Sequence, residues 1–302
     1  MIVRDHLPLR RVWADISKRL CILFLFDLTV SLLYTQANVK FLALPHLPLA
    51  IMGGALSIFL AFRNNSAYDR WWEARTLWGG LVNNARTFAR QALTLISPQD
   101  KEGRDDGASQ DLVELQISYI HSLRCHLRKQ NPFPELEGQL EPSLLHWLRT
   151  QNNVPAALLL EMGKRTKALF EAGRLDPMRF TALDRTLGEL CNLQGGCERI
   201  KGTPLPRQYE YFPRLLVGAY CLLLPFGFVA GMGMLTPLAS TLISFIFISL
   251  ESIGRDIEAP FDNTVHDTPM SSLTRMIEIN LRQNLDQKPR FGELTPIDGF
   301  VY

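Results

Sequence analysis

The stretch 41–62, FLALPHLPLAIMGGALSIFLAF, runs directly into 63–75, RNNSAYDRWWEAR, and its reading decides the fold. No Asp, Glu, Lys or Arg occurs from Phe41 to Phe62. A crossing of the hydrocarbon core needs about 20 apolar residues, so the stretch predicts one span. No Pro or Gly follows Gly54 before Arg75, so the helix is expected to leave the bilayer unbroken and continue among charged residues. At about 100° per residue, Ile51, Gly54, Ile58 and Phe62 share one face, and Leu60 lies on the opposite one. In an ordinary span such a stripe packs against another helix. The functional reading is a pore-lining face, with Ile58 and Phe62 repeated around an axis as hydrophobic rings. One subunit with four spans leaves little room for a pore, so conduction requires several subunits around that axis.

Two further apolar runs extend this reading. Leu215 to Leu250 carries no charged residue and suits a hairpin of two short crossings, with Gly231-Met232-Gly233 as its turn. Leu20 to Tyr34 contains only Asp27 as a charge and completes a set of four spans. Arg10, Arg11, Lys18 and Arg19 precede that first run as they would in a secretory signal. No small-residue cleavage pattern follows it, however, and Asp27 interrupts its core, so a retained helix is the better reading. The remainder of the 302-residue chain is rich in charge, and the formal net charge of +2 gives no support for nucleic-acid binding. Five cysteines without a CxxC pair fit a reducing compartment rather than a disulfide framework.

Lys and Arg near the span ends set the orientation. The N-terminal arm is basic, and Arg63, Arg70, Arg75, Arg207 and Arg214 flank the middle region. The loop after the first span carries only Lys40, and the hairpin turn carries no charge. Both termini and the middle region are therefore expected on the cytoplasmic side. The chain divides into an N-terminal arm with two spans (1–62), a cytosolic region (63–212), a transmembrane hairpin (213–253) and a cytosolic C-terminal segment (254–302). Apolar residues at three- and four-residue spacing predict helices over Ala67–Ile96 and Leu112–Arg128. Further helices are expected over Pro155–Ala172, Pro177–Ile200 and Ser271–Leu285, with a solvated turn at Ser97–Gly107 and a break at Pro204-Leu205-Pro206. Alternating β patterns and internal repeats are absent from the sequence, so the fold class is an all-α membrane protein.

Few residues suggest chemistry. Asp27 and Glu251 lie in or at the edge of spans, where ionisable groups are expensive. A proton relay in a secondary transporter is the sharp reading. The plain one has Glu251 at the interface beside Arg255 and Asp27 paired within the bundle. His121 and Cys125, four apart with His126 adjacent, offer two zinc ligands, but no second pair nearby completes a site. Trp71 and Trp72 beside Arg70 read as an interfacial belt. Arg75, Arg86 and Arg90 read as a solvated helix face. No phosphate loop, nucleophile elbow or metal motif is present, so neither an enzyme nor a cofactor is expected.

FLAFRNNSAYDRWWEAR at 59–75 resembles the signature around the pore helix of bacterial bestrophin-like proteins. Cys197-Glu198-Arg199-Ile200 followed by Thr203-Pro204-Leu205-Pro206 resembles that family's approach to its third span. Ala259-Pro260-Phe261 resembles the family's Asn-Pro-Phe segment after the fourth. The three come in family order across nearly the whole chain. The resemblance implies a homopentameric channel of the cell inner membrane, with four transmembrane helices per subunit and a helical cytosolic domain. Its partners would be further copies of itself, membrane lipid and small inorganic ions. The implied pore-neck positions are Gly54, Ile58 and Phe62. Relatives usually carry a bulky aliphatic residue where Gly54 stands, so the outer ring is expected to be wider or missing. The implied cytosolic aperture is Met178, after Asp176-Pro177, where relatives tend to have Ile. Animal members bind calcium just after Asn-Pro-Phe. Here Asp262-Asn263-Thr264-Val265-His266-Asp267 has too few carboxylates for a site of six to eight oxygens, so no calcium gating is expected. Animal members conduct chloride and bacterial ones include cation conductors. Asp176 beside the aperture leans toward cations, and apolar rings themselves discriminate weakly between charges.

Overall fold

The computed structural model describes residues 9–97 and 107–288, together with 292, 294 and 295. Among the described residues all regular structure is helical. The helices are α1 (Leu9–Thr35), α2 (His46–Leu95), α3 (Ala108–Leu127), α4 (Phe133–Leu136) and α5 (Pro142–Leu148). They continue with α6 (Val154–Glu171), α7 (Pro177–Gly202), α8 (Arg207–Met232), α9 (Thr236–Ile257) and α10 (Met270–Asn284). Most of the expected turn Ser97–Gly107, the arm 1–8 and most of the tail after 288 lie outside the described residues. By length and composition, two stretches are apolar enough to cross a membrane: Lys40–Leu95, within which α2 lies, and Tyr211–Ile257, which takes in most of α8 and all of α9.

α2 runs for 50 residues without a break, as the lack of Pro and Gly after Gly54 leads one to expect up to the Gly79-Gly80 pair. Pro48 sits in its first turn, where a missing N–H costs nothing. Helix starts elsewhere follow local chemistry. Asn153 accepts from the backbone N–H of Ala156 at the start of α6, and Asp176 accepts from that of Arg179 at the start of α7. The hairpin turn falls at the expected glycines: α8 ends at Met232, Gly233 takes a positive φ of 52°, and a 3-10 turn leads to α9. Pro225 lies inside α8, and Pro237 opens α9.

The chain forms two compact units. One takes residues up to Trp71 and Pro204–Ala259, so it holds α1, the first half of α2, α8 and α9. Its core joins Ile16 and Leu20 of α1, Leu49, Leu56 and Leu60 of α2, Val217, Tyr220 and Leu224 of α8, and Phe247 and Ile248 of α9. The other takes Trp72–Thr203 and the chain from Pro260. Trp78, Phe88, Leu112, Ile120, Leu158, Leu183 and Phe261 are among its core, contributed by α2, α3, α6, α7 and the segment before α10. The short helices α4 and α5, absent from the sequence reading, are too brief to show a periodicity; Pro132 precedes α4 and Pro142 opens α5.

Candidate functional site

In the unit holding α1, α8 and α9, helix α2 presents two unlike faces. Leu56, Leu60 and Arg63 are buried, Leu60 at 1% and Arg63 at 0% exposure. Ile51, Ile58 and Phe62 stand away from that core at 66%, 61% and 67% exposure. The adjacent glycines divide in the same way. A Cβ on Gly53 would run into the Tyr220 ring, whereas one on Gly54 would meet nothing within 4 Å. Gly53 thus serves close packing, and Gly54 lies on the face shared by Ile51, Ile58 and Phe62.

Arg63, which the sequence reading took only as a charge at the span end, is buried on the packed face and ties α2 to α8 and α9. Its Nε donates to the Tyr209 carbonyl at 3.0 Å, Nη1 to the Glu251 carbonyl at 2.9 Å, and Nη2 to Glu258 Oε2 at 3.3 Å. Asn64 adds a bond to the Leu250 carbonyl at 2.9 Å, and Arg70 one to the Glu258 carbonyl at 2.9 Å. Gly254 is required here, because a Cβ would meet Asn64 and Arg63. A buried guanidinium is tolerated only with such complete hydrogen bonding and an opposite charge. Arg63 carries no signal in a linear pattern, because its partners lie far along the chain.

Glu251 is buried at 3% exposure, and its carboxylate faces Arg255 at 3.8 Å. Asp27 is fully buried between α1 and α9, where Ser240 Oγ and Thr241 Oγ1 lie 2.7 and 3.3 Å from its Oδ2. These two acids are therefore held by separate local networks.

In the other unit, Met178 in the first turn of α7 is 82% exposed. Asp176 caps that helix and pairs with Arg179 at 3.0 Å. His121 and His126 face different partners: the ring of His121 lies between Glu135 at 2.7 Å and Glu278 at 3.0 Å, and His126 faces Glu198 at 3.6 Å. Among the described residues no three His, Cys, Asp or Glu side chains converge as a metal site. Burial alone would raise Glu135 and Glu278. The hydrogen bonds from His121, with Arg124 beside Glu135 and Arg275 and Arg282 beside Glu278, outweigh it and hold each at about 2. Burial, reinforced by the charges of Glu198 and Glu73, pushes the Cys197 thiol up to about 12, which makes it an inert core group. Asp262 pairs with Lys201, and Asp267 is taken up by the backbone and hydroxyl of Thr264, so both acids after Phe261 have protein partners. Trp71 is half-buried and Trp72 exposed. Arg86 and Arg90 are exposed, Arg75 is half-buried, and Arg86 reaches Asn280 at 2.7 Å.

Long apolar stretches and an apolar helix face left open define a helical membrane protein. The family described as Bacterial/Fungal Bestrophin protein matches residues 9–283, and the chain belongs to that family. It is 35% identical over 309 residues to a voltage-dependent anion channel-forming protein of Ralstonia nicotianae, covering 100% of this chain and 99% of that one. It is 34% identical to the voltage-dependent anion channel-forming protein YneE of Escherichia coli, covering 98% of each chain. Among solved structures, a bacterial bestrophin homologue from Klebsiella pneumoniae superposes with a TM-score of 0.84 at 30% identity, covering 91% of this chain and 100% of that one.

Proposed function

We propose that this bestrophin-family ion channel acts as a homopentamer in the cell inner membrane and passes small monovalent ions through an apolar neck. In this reading α1, the first half of α2, α8 and α9 are the four crossings. Residues 63–212 and 254–302 form the cytosolic part, and both termini face the cytoplasm. Ile58 and Phe62 line the neck, Gly54 stands at its outer level, and Met178 rings a cytosolic aperture.

The observation that carries the proposal is the division of α2. Leu56, Leu60 and Arg63 commit one face to the subunit core, while Ile58 and Phe62 leave the opposite face apolar and open. A narrow apolar ring gates by dewetting, since an ion entering it loses hydration and finds no polar replacement. Such a ring does not itself choose a sign. The tendency of Asp176 to draw cations is offset by its pairing with Arg179. That pairing, and the relatives named as anion channel-forming, support a small monovalent anion. Glu251 faces Arg255 of its own helix, which gives a coupled transporter little to work with there. Purified protein in bilayers under a salt gradient tests both points. Passive current that needs no coupled ion is expected, with a reversal potential on the anion side. A cation-side reversal would overturn the sign, and flux that stops without a second ion would overturn the channel.

A further inference from the structure

Asp27 sits in a seam that supplies oxygen atoms and no positive charge. Its carboxyl is fully buried, and the neighbouring Ser31, Thr236, Ser240 and Ser244 side chains of α1 and α9 are buried as well. Thr236, Ser240 and Ser244 recur every four residues, so they form one stripe along α9. Ser240 has one hydrogen for two neighbouring oxygens. Its hydroxyl oxygen lies 2.6 Å from the Thr236 carbonyl and 2.7 Å from Asp27 Oδ2. A serine hydroxyl has one hydrogen, and a carbonyl can only accept. When that hydrogen goes to Thr236, the contact with Asp27 is a hydrogen bond only if Asp27 is the donor. The other oxygen, Oδ1, has no partner, and neither do the hydroxyls of Ser31 and Thr236. A carboxylate ion left so poorly solvated in this place is disfavoured, because burying an unpaired ion costs its hydration. Among the described residues no Lys, Arg or His forms an ion pair with Asp27. The titratable group facing it from α8 is Cys221. α9 contributes only hydroxyls there, and the 3-10 turn after α8 contributes no charge.

We infer that Asp27 is a proton-binding site within each subunit: it holds a proton as a neutral carboxylic acid and donates it to Ser240, latching α1 to α9. The chain of donors runs from Asp27 through Ser240 to the Thr236 carbonyl, and every link has one hydrogen. The ligand is a proton rather than a monovalent metal cation, because a cation would need Ser240 turned to offer a lone pair and the carbonyl bond given up.

Infrared spectroscopy of the full-length protein in lipid tests this without reference to conduction, so its outcome is independent of the pore assignment. At pH 8 ordinary aspartates are ionised. A carbonyl stretch of an undissociated acid is expected in the wild type, shifted when aspartate carries carboxyl-13C and lost entirely in Asp27→Asn. Absence of that band from the wild-type protein, or failure of the band to shift on labelling, overturns the proposal, whether or not the variant folds. A band present in choline but removed by sodium at the same pH also overturns it, because a metal cation would then occupy the seam.

Discussion

Gly53 and Gly54 are chemically identical neighbours, yet the fold treats them differently, and the difference is testable. Gly53→Ala should destabilise the protein because its methyl group runs into the Tyr220 ring. Gly54→Ala has open space and gains up to about 1 kcal/mol of helix propensity. Enlarging Gly54 to Ile should instead lower conductance by narrowing the outer neck, with little change in melting temperature. The same logic separates Phe62 from Leu60. Ile58→Ala and Phe62→Ala remove side chains that touch little of their own subunit, so stability should hold while single-channel conductance rises several-fold. Leu60→Ala opens a cavity in the subunit core and should cost about 2–5 kcal/mol without raising conductance. If Leu60→Ala raises conductance while the other two leave it unchanged, the pore face is turned by half the helix.

At the level of elements, α10 is tied to α3 and α4 through one imidazole. His121 on α3 lies between Glu135 of α4 and Glu278 of α10, with one carboxylate at each ring nitrogen. Both carboxyls are held at about 2 against an ordinary 4.5. A depressed folded-state value means that the stabilisation is complete above the unfolded value and is lost as pH falls through the folded one. The melting temperature of the detergent-solubilised protein should therefore fall between pH 4.5 and 2. Glu278→Gln should lower it at neutral pH and flatten that dependence, and an unchanged profile would show that the bridge contributes nothing. The helices themselves were legible in the sequence where one physical pattern governed them. The charge-free runs marked α2, α8 and α9, and the Pro204–Pro206 break marked the end of α7. The His121 bridge was not legible, because its partners lie 14 and 157 residues away. Arg63 escaped for the same reason. A charge at a span end looks like an interfacial anchor until the chain folds α8 and α9 around it.

For the whole molecule, the open face of α2 bears on the proposed assembly. One chain buries Leu60 and Arg63 on one side and leaves Ile58 and Phe62 with no partner of comparable size. A single lining helix per subunit cannot enclose a pore, and a repeated head-to-tail contact closes into a ring only if its rotation divides a full turn. The ring proposed from the resemblance to bestrophins is fivefold. Mass measurement in mild detergent should therefore give five times the 34.3 kDa chain. Harsher detergent that releases monomers should abolish flux on reconstitution in proportion to the pentamer lost. Flux should also be indifferent to calcium chelation, since Asp262 and Asp267 are already engaged by Lys201 and Thr264. Arg63→Ala separates assembly from folding. It removes the buried guanidinium's bonds to the Tyr209 and Glu251 carbonyls and to Glu258, which should destabilise the fold and free α2 to rotate within its own subunit. Any pentamer that still forms should then conduct with altered and variable amplitude, because Phe62 no longer has a fixed bearing on the axis. A monomer that conducts as well as the parent preparation would refute the ring, and an Arg63→Ala pentamer with unchanged conductance would show that something other than this guanidinium orients the neck.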